Sequence, residues 1–434
     1  MQNILPISAN RDSSGRLYLH DYSIRELADK FQTPCYVYDA DTVIENAKQM
    51  HQSFSKYYSG EYEVTYAAKA YFSLGFARVI NRLGLGVDVV SLGELKIAHL
   101  AGFLPERVHL HGNNKSEQEL RYAVEWGVSD IVVDSVAEME YLVGLALEYQ
   151  KKVSVWIRVT PAIETNTHKH IQTGHKSSKF GVPVEDGQIQ QAIQLAMDSE
   201  WLELEGLHAH LGSQLFDSIV YRQAFDVFAN ICSATGFFPK AISAGGGWGV
   251  AYTSDENNHE CDEWIKTVSQ ATYDFAEKLH IDLPKLVIEP GRWLVARAGL
   301  AVYKVGFCKF SAAGHYFVTV DGGLSDNPRP ALYDAKYEAV LGEREAVGSL
   351  HNASIVGKFC ESGDLLIRDT RLPEMFPGEL MVIPVAGAYQ LSMSSNYNLA
   401  PRPAVIWVEK GKISILQTRE NPEESGWWVS EVSI

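Results

Sequence analysis

Short runs of β-branched and aromatic residues recur along the first two thirds of this chain, and stretches that favour helices separate them. The runs fall at residues 62–68, 87–91, 108–112, 130–135, 153–159, 204–211, 241–247 and 286–291. Helix-compatible stretches between them include residues 94–101, 116–126, 136–150 and 219–235. Regular alternation of strand and helix indicates a parallel sheet with crossover helices. Eight such units predict the α/β class and a closed (β/α)₈ barrel, with the chemistry at the C-terminal ends of the strands.

The pattern changes near residue 300. Runs at residues 300–305, 316–320, 353–356, 380–385, 403–408 and 412–417 alternate in polarity or are rich in β-branched residues. The Glu409-Lys410-Gly411 segment predicts a tight turn between the last two runs. This pattern predicts a separate β domain, a sandwich or small barrel. We place the barrel at residues 38–295 and the β domain at residues 1–37 and 296–434, with residues 16–19 as a candidate strand of that domain.

The composition favours a soluble enzyme. The chain has 434 residues, of which 46% are hydrophobic, and is long enough to bury two cores. Its formal net charge of −16 argues against nucleic acid or an anionic membrane surface as a partner. Five scattered cysteines without C-x-x-C spacing predict neither a disulfide framework nor a zinc site. We find neither a signal sequence nor a bilayer-spanning apolar stretch, so we expect a cytoplasmic protein.

Polar residues and glycines collect where the predicted barrel strands end. They are Lys69, Asp88, His111, Asp134, Arg158, His210, the glycines at 245–247 and Glu289. A lysine amine at a barrel mouth, together with a carboxylate and an arginine, suits a carbonyl cofactor that is bound through the amine and carries a phosphate. The glycine run and the Gly291-Arg292 pair follow strands seven and eight, where many such barrels bind phosphate. The combination predicts pyridoxal phosphate as the cofactor.

The segment His208-Ala209-His210 has two interpretations. Residues i and i+2 of a strand share a face, so both imidazoles could bind a metal, as in a metal-dependent hydrolase. Alternatively, one histidine lies flat against the cofactor ring and Ser213 donates to the phosphate. The residues alone leave both open, although no further ligand cluster accompanies the two histidines.

Polar loops of the predicted β domain carry a second group of candidates. Cys360 is followed by Glu361-Ser362-Gly363-Asp364, which is unlike a core segment and favours a functional thiol. Loops rich in glycine and proline present Arg329, Tyr333 and Tyr389. Because arginine is the natural bidentate partner of a carboxylate, these loops predict a substrate that carries a carboxylate.

Together these motifs resemble those of diaminopimelate decarboxylase, a family of fold type III pyridoxal phosphate enzymes. Between Pro34 and Glu420 they occur in this order: Tyr66-Ala-Ala-Lys69-Ala, Asp88-Val-Val-Ser91, His111-Gly-Asn-Asn-Lys-Ser116, Ser178-Lys-Phe-Gly181, His210-Leu-Gly-Ser-Gln214, Gly245-Gly-Gly247, Glu289-Pro-Gly-Arg292, Arg329-Pro-Ala-Leu-Tyr333, Cys360-Glu-Ser-Gly-Asp364, Gly387-Ala-Tyr389 and Met393-Ser-Ser-Asn-Tyr-Asn398. The resemblance implies a barrel of the alanine-racemase type and a β domain that takes its first strand from the N-terminus.

The resemblance also implies roles for individual residues. Lys69 would bind the cofactor covalently, His210 would stack on its ring and Glu289 would pair with the pyridine nitrogen. The phosphate would contact Ser213, Gly246, Gly247, Gly291, Arg292 and Tyr389, and the substrate would contact Arg292, Arg329, Tyr333, Glu361 and Tyr389. In the family, Cys360 and Glu361 act in the site of a partner subunit, which implies a homodimer with shared active sites. Cys360 would protonate Cα.

The implied reaction is decarboxylation of meso-diaminopimelate to L-lysine, without a metal. Glu289 favours decarboxylation over racemisation, because the related racemases place an arginine opposite the pyridine nitrogen. Tyr71, Leu92 and Gln390 stand where the family usually has Asn, Gly and Gly. This added bulk keeps open a same-fold decarboxylase of another substrate, such as a D-amino acid, ornithine, lysine or a siderophore intermediate. A binding protein without turnover is a more distant alternative.

Overall fold

A computed structural model of the chain describes residues 3–163 and 178–424. Its contacts divide the chain into two compact units. The barrel unit comprises Asn46–Gly249 and His259–Trp293. The β unit comprises Met1–Glu45, Val250–Asn258 and Leu294–Ile434.

The barrel unit contains the eight-stranded parallel barrel that the alternation predicts. Its strands are Tyr62–Ala67, Gly86–Val89, Val108–Leu110, Asp130–Val133, Val153–Thr160, Leu202–His208, Ala241–Ser243 and Lys285–Ile288. Each strand pairs in parallel with the next in sequence, and the eighth pairs with the first, which closes the barrel. A two-residue strand, Val182–Pro183, pairs with the fifth. All eight predicted strands are confirmed.

Serine residues start several of the helices that alternate with these strands. The helices are Ala40–Tyr57, Leu74–Arg82, Leu92–Leu100, Glu117–Trp126, Val136–Tyr149, Gln188–Asp198, Ile219–Thr235, Cys261–Leu279 and the short Arg292–Val295. Four serine caps accept a hydrogen bond from the backbone N–H three residues on: Ser73, Ser91, Ser116 and Ser135. Such a cap satisfies a helix donor that has no partner within the helix. The caps therefore fix the first four strand-to-helix loops, where predicted site residues lie.

The β unit is built on one long mixed sheet. In spatial order its strands are Leu365–Leu372, His351–Val356, Tyr316–Val320, Gly299–Phe310, Cys35–Asp39, Ala404–Glu409 and Lys412–Gln417. Leu380–Ile383 also pairs with Gly299–Phe310, and Val340–Leu341 pairs with Leu380–Ile383. Two helices of this unit are Ile24–Phe31 and Arg329–Tyr333. The six runs predicted after residue 300 all fall on strands, which confirms the β domain.

The N-terminal strand of this sheet differs from the prediction for residues 16–19. That segment lies in a separate sheet of three short strands, Ala9–Arg11, Leu17–Leu19 and Tyr22–Ser23. The strand that joins the long sheet is Cys35–Asp39, which lies between two of its strands. Every residue of Cys35–Asp39 is buried, as in a central strand, whereas Tyr18 is only partly buried.

Within the part of the chain that the structure describes, no helix combines the length and the apolar character needed to cross a bilayer. All five cysteines are free thiols, and Cys360 is the exposed one.

Candidate active site in the barrel mouth

A cavity of about 390 Å³ lies at the C-terminal ends of the barrel strands. Six of the predicted strand-end residues line it: Lys69, Asp88, His111, Arg158, His210 and Glu289. Asp134 lies behind this lining, with Oδ1 at 3.9 Å from Nη1 of Arg158. Lys179, Phe180 and His208 also line the cavity. The volume suits a small organic molecule. The prediction that these six residues meet where the barrel strands end is confirmed.

Lys69 follows the first barrel strand in a single 3₁₀ turn, Ala68–Ala70. Ala68 and Ala70 are buried, whereas Lys69 between them is exposed and lines the cavity. The two small buried side chains hold the turn against the barrel wall. The turn therefore presents the amine to the cavity, where it can react.

Glu289 directly follows the eighth barrel strand and is buried. Its Oε2 accepts a hydrogen bond from Nε2 of His208 at 3.0 Å, and its Oε1 accepts one from Oγ of Ser243 at 3.0 Å. Burial opposes the charge, but His208 and His111 hold the pKa of Glu289 well below its usual range. Glu289 is therefore an ionised carboxylate of fixed orientation.

Burial disfavours the charged form of the imidazoles in the cavity. Burial lowers the pKa of His208, and burial together with the Lys69 amine lowers the pKa of His210 well below its ordinary value. Burial also raises the pKa of Asp88 to about 7, against the opposing effect of Lys69. A neutral His210 can present an uncharged aromatic face to a ring bound beside it.

The glycine run after the seventh strand allows a close approach of backbone to backbone. Gly245 and Gly247 have φ values of +78° and +96°, which favour glycine. A Cβ on Gly246 would collide with the carbonyl of Glu289. No larger residue fits at Gly246 without moving Glu289. The backbone N–H groups of such a run suit an anion.

Arg292 begins a short helix just after the eighth strand, and its Nη2 donates a hydrogen bond to Oγ of Ser213 at 2.9 Å. A guanidinium and a hydroxyl from two strand ends are therefore in contact, a combination that suits a phosphate. The predicted phosphate-binding residues of the barrel unit, which follow strands six to eight, are Ser213, Gly246, Gly247, Gly291 and Arg292.

The alternative interpretation of His208 and His210 as a metal pair depends on both side chains lying on one face of a strand. Among the described residues, the group with metal-ligand spacing is His111, His208 and Glu289, whose ligand atoms lie within 4.8 Å of one another. The sixth strand ends at His208, so the alternation of faces does not extend to His210. His208 hydrogen-bonds to Glu289.

Comparison with known proteins agrees with this geometry. The chain matches the family model for the pyridoxal binding domain of pyridoxal-dependent decarboxylases over residues 40–296. It is 40% identical over 424 residues to diaminopimelate decarboxylase of Bacillus subtilis, with 96% of each chain covered. A crystal structure of diaminopimelate decarboxylase from M. jannaschii in complex with L-lysine has a TM-score of 0.90 at 31% identity, with 96% of each chain covered. The chain belongs to the diaminopimelate decarboxylase family. The predicted family and its carboxy-lyase chemistry are confirmed.

Pyridoxal phosphate is the cofactor of these decarboxylases, and the residues of the barrel mouth fit it. The cavity provides an amine from Lys69 and an ionised carboxylate from Glu289, which suit a carbonyl carbon and a protonated pyridine nitrogen. Oδ1 of Asp88 and Nδ1 of His208 are buried without a hydrogen-bond partner among the described residues. Buried polar atoms of this kind normally have a partner, which a bound polar molecule can supply.

In the β unit of this decarboxylase, Arg329 is held by two tyrosines. Its guanidinium lies over the ring of Tyr252, with Cζ at 4.8 Å from the ring centroid, and its Nη1 donates to Oη of Tyr337 at 2.6 Å. Arg329 is buried, while Tyr333 and Tyr389 are half-buried. Sequence reasoning missed Tyr252 and Tyr337 because neither belongs to a recognisable motif.

Cys360 and Glu361 lie on an exposed loop of the β unit. The backbone N–H of Cys360 donates to Oδ1 of Asn398 at 3.1 Å, and its carbonyl accepts from Oη of Tyr397 at 3.2 Å. Oε1 of Glu361 accepts from the N–H of Gly363 at 3.3 Å. The loop is therefore exposed but held by specific hydrogen bonds.

Of the three departures from the family pattern, Tyr71 and Gln390 are buried and Leu92 is half-buried. Tyr71 is buried, and its backbone exchanges two hydrogen bonds with Oη of Tyr66, at 3.1 and 2.8 Å. Leu92 begins a barrel helix. Gln390 is buried in the β unit, where Oε1 accepts from Oη of Tyr36 at 3.0 Å. The ring of Tyr71 packs against that of Phe76, with the two centroids 5.4 Å apart.

Proposed function

We propose that the protein decarboxylates meso-diaminopimelate to L-lysine and CO₂. The observation that carries the proposal is the presence, in one cavity, of the Lys69 amine and an ionised Glu289 that His208 holds in place. A relative at 40% identity is named diaminopimelate decarboxylase, and the crystal structure of that enzyme from M. jannaschii contains L-lysine. L-Lysine is the product that the proposed reaction would leave in the site.

We infer that barrel residues bind the cofactor. Lys69 would bind its carbonyl carbon, His210 would cover a face of its ring and Glu289 would accept from the pyridine nitrogen. The phosphate would be bound by Ser213, Gly246, Gly247, Gly291 and Arg292, with Tyr389 as a further ligand. When bound, pyridoxal phosphate supplies a sink for the electrons that the departing CO₂ leaves behind. Glu289 strengthens that sink because its negative charge stabilises a protonated ring nitrogen.

We propose that arginines recognise the distal carboxylate of the substrate. Arg292 and Arg329 would form bidentate hydrogen bonds with it, and Glu361 would accept from the distal ammonium. Tyr333 and Tyr389 would complete this contact. The stacking of Arg329 on Tyr252 supports the assignment, because a preorganised guanidinium loses less entropy on binding.

We propose that Cys360 is the acid that protonates the carbon from which CO₂ leaves, in the site of a partner protomer. In a homodimer, Cys360 and Glu361 of each protomer would complete the active site of the other protomer. Support comes from their exposure, together with the hydrogen bonds that Asn398 and Tyr397 make to the Cys360 backbone. A monomer would then lack its proton donor.

We also propose that the functional domains are residues 38–295 for the barrel and residues 1–37 with 296–434 for the β domain. The family match over residues 40–296 supports these bounds.

We propose a cytoplasmic location because all five cysteines are free thiols, as is usual in reducing compartments. The net charge of −16 supports the absence of a nucleic-acid partner.

The test is turnover of a substrate panel by the purified holoenzyme. The panel contains meso-diaminopimelate, its other stereoisomers, L-lysine, L-ornithine and their D-enantiomers, with release of CO₂ and the identity of the product measured. We expect kcat/KM for meso-diaminopimelate to exceed that for L-lysine or L-ornithine at least about a hundredfold, because those lack the distal carboxylate. A preference for either would instead favour the same-fold decarboxylase of another substrate. Cofactor binding without turnover of any compound would favour a binding protein.

A further inference from the structure

Asp364 closes the motif that begins with Cys360, and its carboxylate joins two loops of the β unit. Oδ2 accepts from the backbone N–H of Phe359 at 2.8 Å, within its own loop. Oδ1 accepts from the backbone N–H of Leu324 at 2.6 Å, in the loop that leads to Arg329. Asp364 is only 4% exposed, so both bonds are shielded from competing water.

Glycines on both loops make room for this carboxylate. A Cβ on Gly357 or on Gly323 would collide with the carboxylate of Asp364. The backbone also joins the loops directly, since the N–H of Lys358 donates to the carbonyl of Gly322 at 3.2 Å. The carboxylate therefore fills a space that two glycines leave open.

A third loop is tied to the same pair. Ser325 and Ser395 exchange two hydrogen bonds of 2.8 Å, one from the N–H of Ser395 and one from Oγ of Ser325. Three residues further along, Asn398 accepts from the N–H of Cys360 at 3.1 Å. All three loops contain motifs of the family, yet Asp364, Ser395 and Asn398 have no role in the proposed chemistry.

We infer that Asp364 is a positioning residue that fixes the loop of Cys360 and Glu361 relative to the segment of Arg329. The inference rests on the proposed function, in which those side chains deliver the proton and bind the substrate. Phe359 immediately precedes Cys360, so loss of the bond to Phe359 moves the backbone that carries the thiol. A displacement of about 1 Å of a catalytic group can cost on the order of a hundredfold in rate.

The most direct test compares two glycine-to-alanine variants of the same loop. Gly357→Ala places a methyl group where the Asp364 carboxylate lies. Gly363→Ala is the control, because the atom nearest to its new Cβ is Oε1 of Glu361 at 3.8 Å, which is an ordinary van der Waals contact. Neither glycine has a positive φ in the range that disfavours alanine. Asp364→Asn is the complementary variant, because its amide nitrogen would face a backbone donor.

Stereochemistry provides a readout that a loss of stability alone would not change. In D₂O, the carbon that loses CO₂ becomes CHD, and its configuration reports the face from which the deuteron arrived. We expect a single configuration from the wild type and from Gly363→Ala. Gly357→Ala and Asp364→Asn should give a mixture, with kcat lowered between about tenfold and a hundredfold, KM for meso-diaminopimelate raised, and the visible cofactor band unchanged.

A single configuration and an unchanged KM in Gly357→Ala would overturn the inference, even if kcat or the melting temperature fell. If Asp364→Asn fails to fold, Gly357→Ala decides the question by itself. The proposed function fails in a different way, because then the wild type would form no L-lysine from meso-diaminopimelate.

Discussion

His208 donates a hydrogen bond of 3.0 Å from Nε2 to Oε2 of Glu289. Since an ionised carboxylate can only accept, the imidazole must carry its proton on Nε2. Ser243 donates to the other carboxylate oxygen at 3.0 Å, so both oxygens have a fixed donor. His208 thus orients the group that we propose to face the pyridine nitrogen.

Replacement of His208 by leucine should weaken cofactor binding and lower kcat/KM by about ten- to a hundredfold, because Glu289 loses a buried hydrogen bond worth roughly 1.5–3 kcal/mol. His208→Gln places an amide N–H near the position of Nε2 and should recover part of the loss. Titration of the apoenzyme with pyridoxal phosphate, followed by its visible absorption, measures the effect. Equal dissociation constants for wild type and His208→Leu would contradict it.

The role of His208 could not be predicted from sequence. Its partner lies 81 residues away, and the barrel alone brings the two strands together. Lys69 and Glu289, in contrast, were predictable because the C-terminal ends of parallel strands meet at one face. Sequence reasoning can thus place residues at the barrel mouth, but it cannot show which of them form hydrogen bonds.

The fold was predictable for a similar reason, since each barrel strand has a local pattern of its own. Leu365–Leu372 was missed, although it is an eight-residue strand. It lies at the edge of the long sheet, and its exposed Arg368, Asp369 and Arg371 obscure the β pattern. Charged side chains are common on edge strands, where they discourage pairing with other molecules.

Lys69 should carry the cofactor. The purified protein should have a visible absorption band that borohydride removes, and peptide mapping should then find the label on Lys69. Lys69→Ala should lose the band together with activity. A colourless protein with one zinc ion per chain at His111, His208 and Glu289 would instead favour a metal enzyme.

The shared site can be tested with hybrid dimers. Lys69→Ala and Cys360→Ala proteins should each be inactive or nearly so, with Cys360→Ala at least about a hundredfold slower than wild type while keeping its cofactor. After subunit exchange at equal concentrations, half of the dimers would be hybrids with one intact site, so about one quarter of wild-type activity should return. Absence of recovery, once mass spectrometry has confirmed the exchange, would argue against a site completed by the partner.

We expect Arg329 to be required for recognition of the distal carboxylate of the substrate. Arg329→Ala should lower kcat/KM for meso-diaminopimelate at least about a hundredfold. The substrate carboxylate is then left unpaired, which costs several kcal/mol of transition-state binding. The cofactor spectrum should not change. Tyr337→Phe is the matched control, since it removes the hydrogen bond to Nη1 but keeps the arginine, and it should cost about 1 kcal/mol. A wild type that prefers L-ornithine would overturn the assignment of Arg329.

His109, on the third barrel strand and outside the lining of the cavity, gives the barrel a pH dependence. Its Nε2 lies 3.5 Å from Oε1 of Glu63, and its Nδ1 lies 3.7 Å from Oδ2 of Asp130. Burial opposes protonation, but the two carboxylates raise the pKa of His109 to about 9. Histidine in an unfolded chain has a pKa of about 6.5, so the native state binds one more proton between these two values.

Stability from His109 is therefore fully present below about pH 6.5 and is lost as the pH rises through about 9. Within this window the free energy of unfolding should fall with pH by up to about 1.4 kcal/mol per unit, for a total on the order of 1–3 kcal/mol. Urea unfolding midpoints, measured by tryptophan fluorescence between pH 6 and pH 9.5, should fall in the wild type. In His109→Gln the midpoint should be lower at pH 6, and its decline above about pH 7.5 should be largely absent, because the group that titrates there is gone. A parallel decline in the variant would show that another group is responsible.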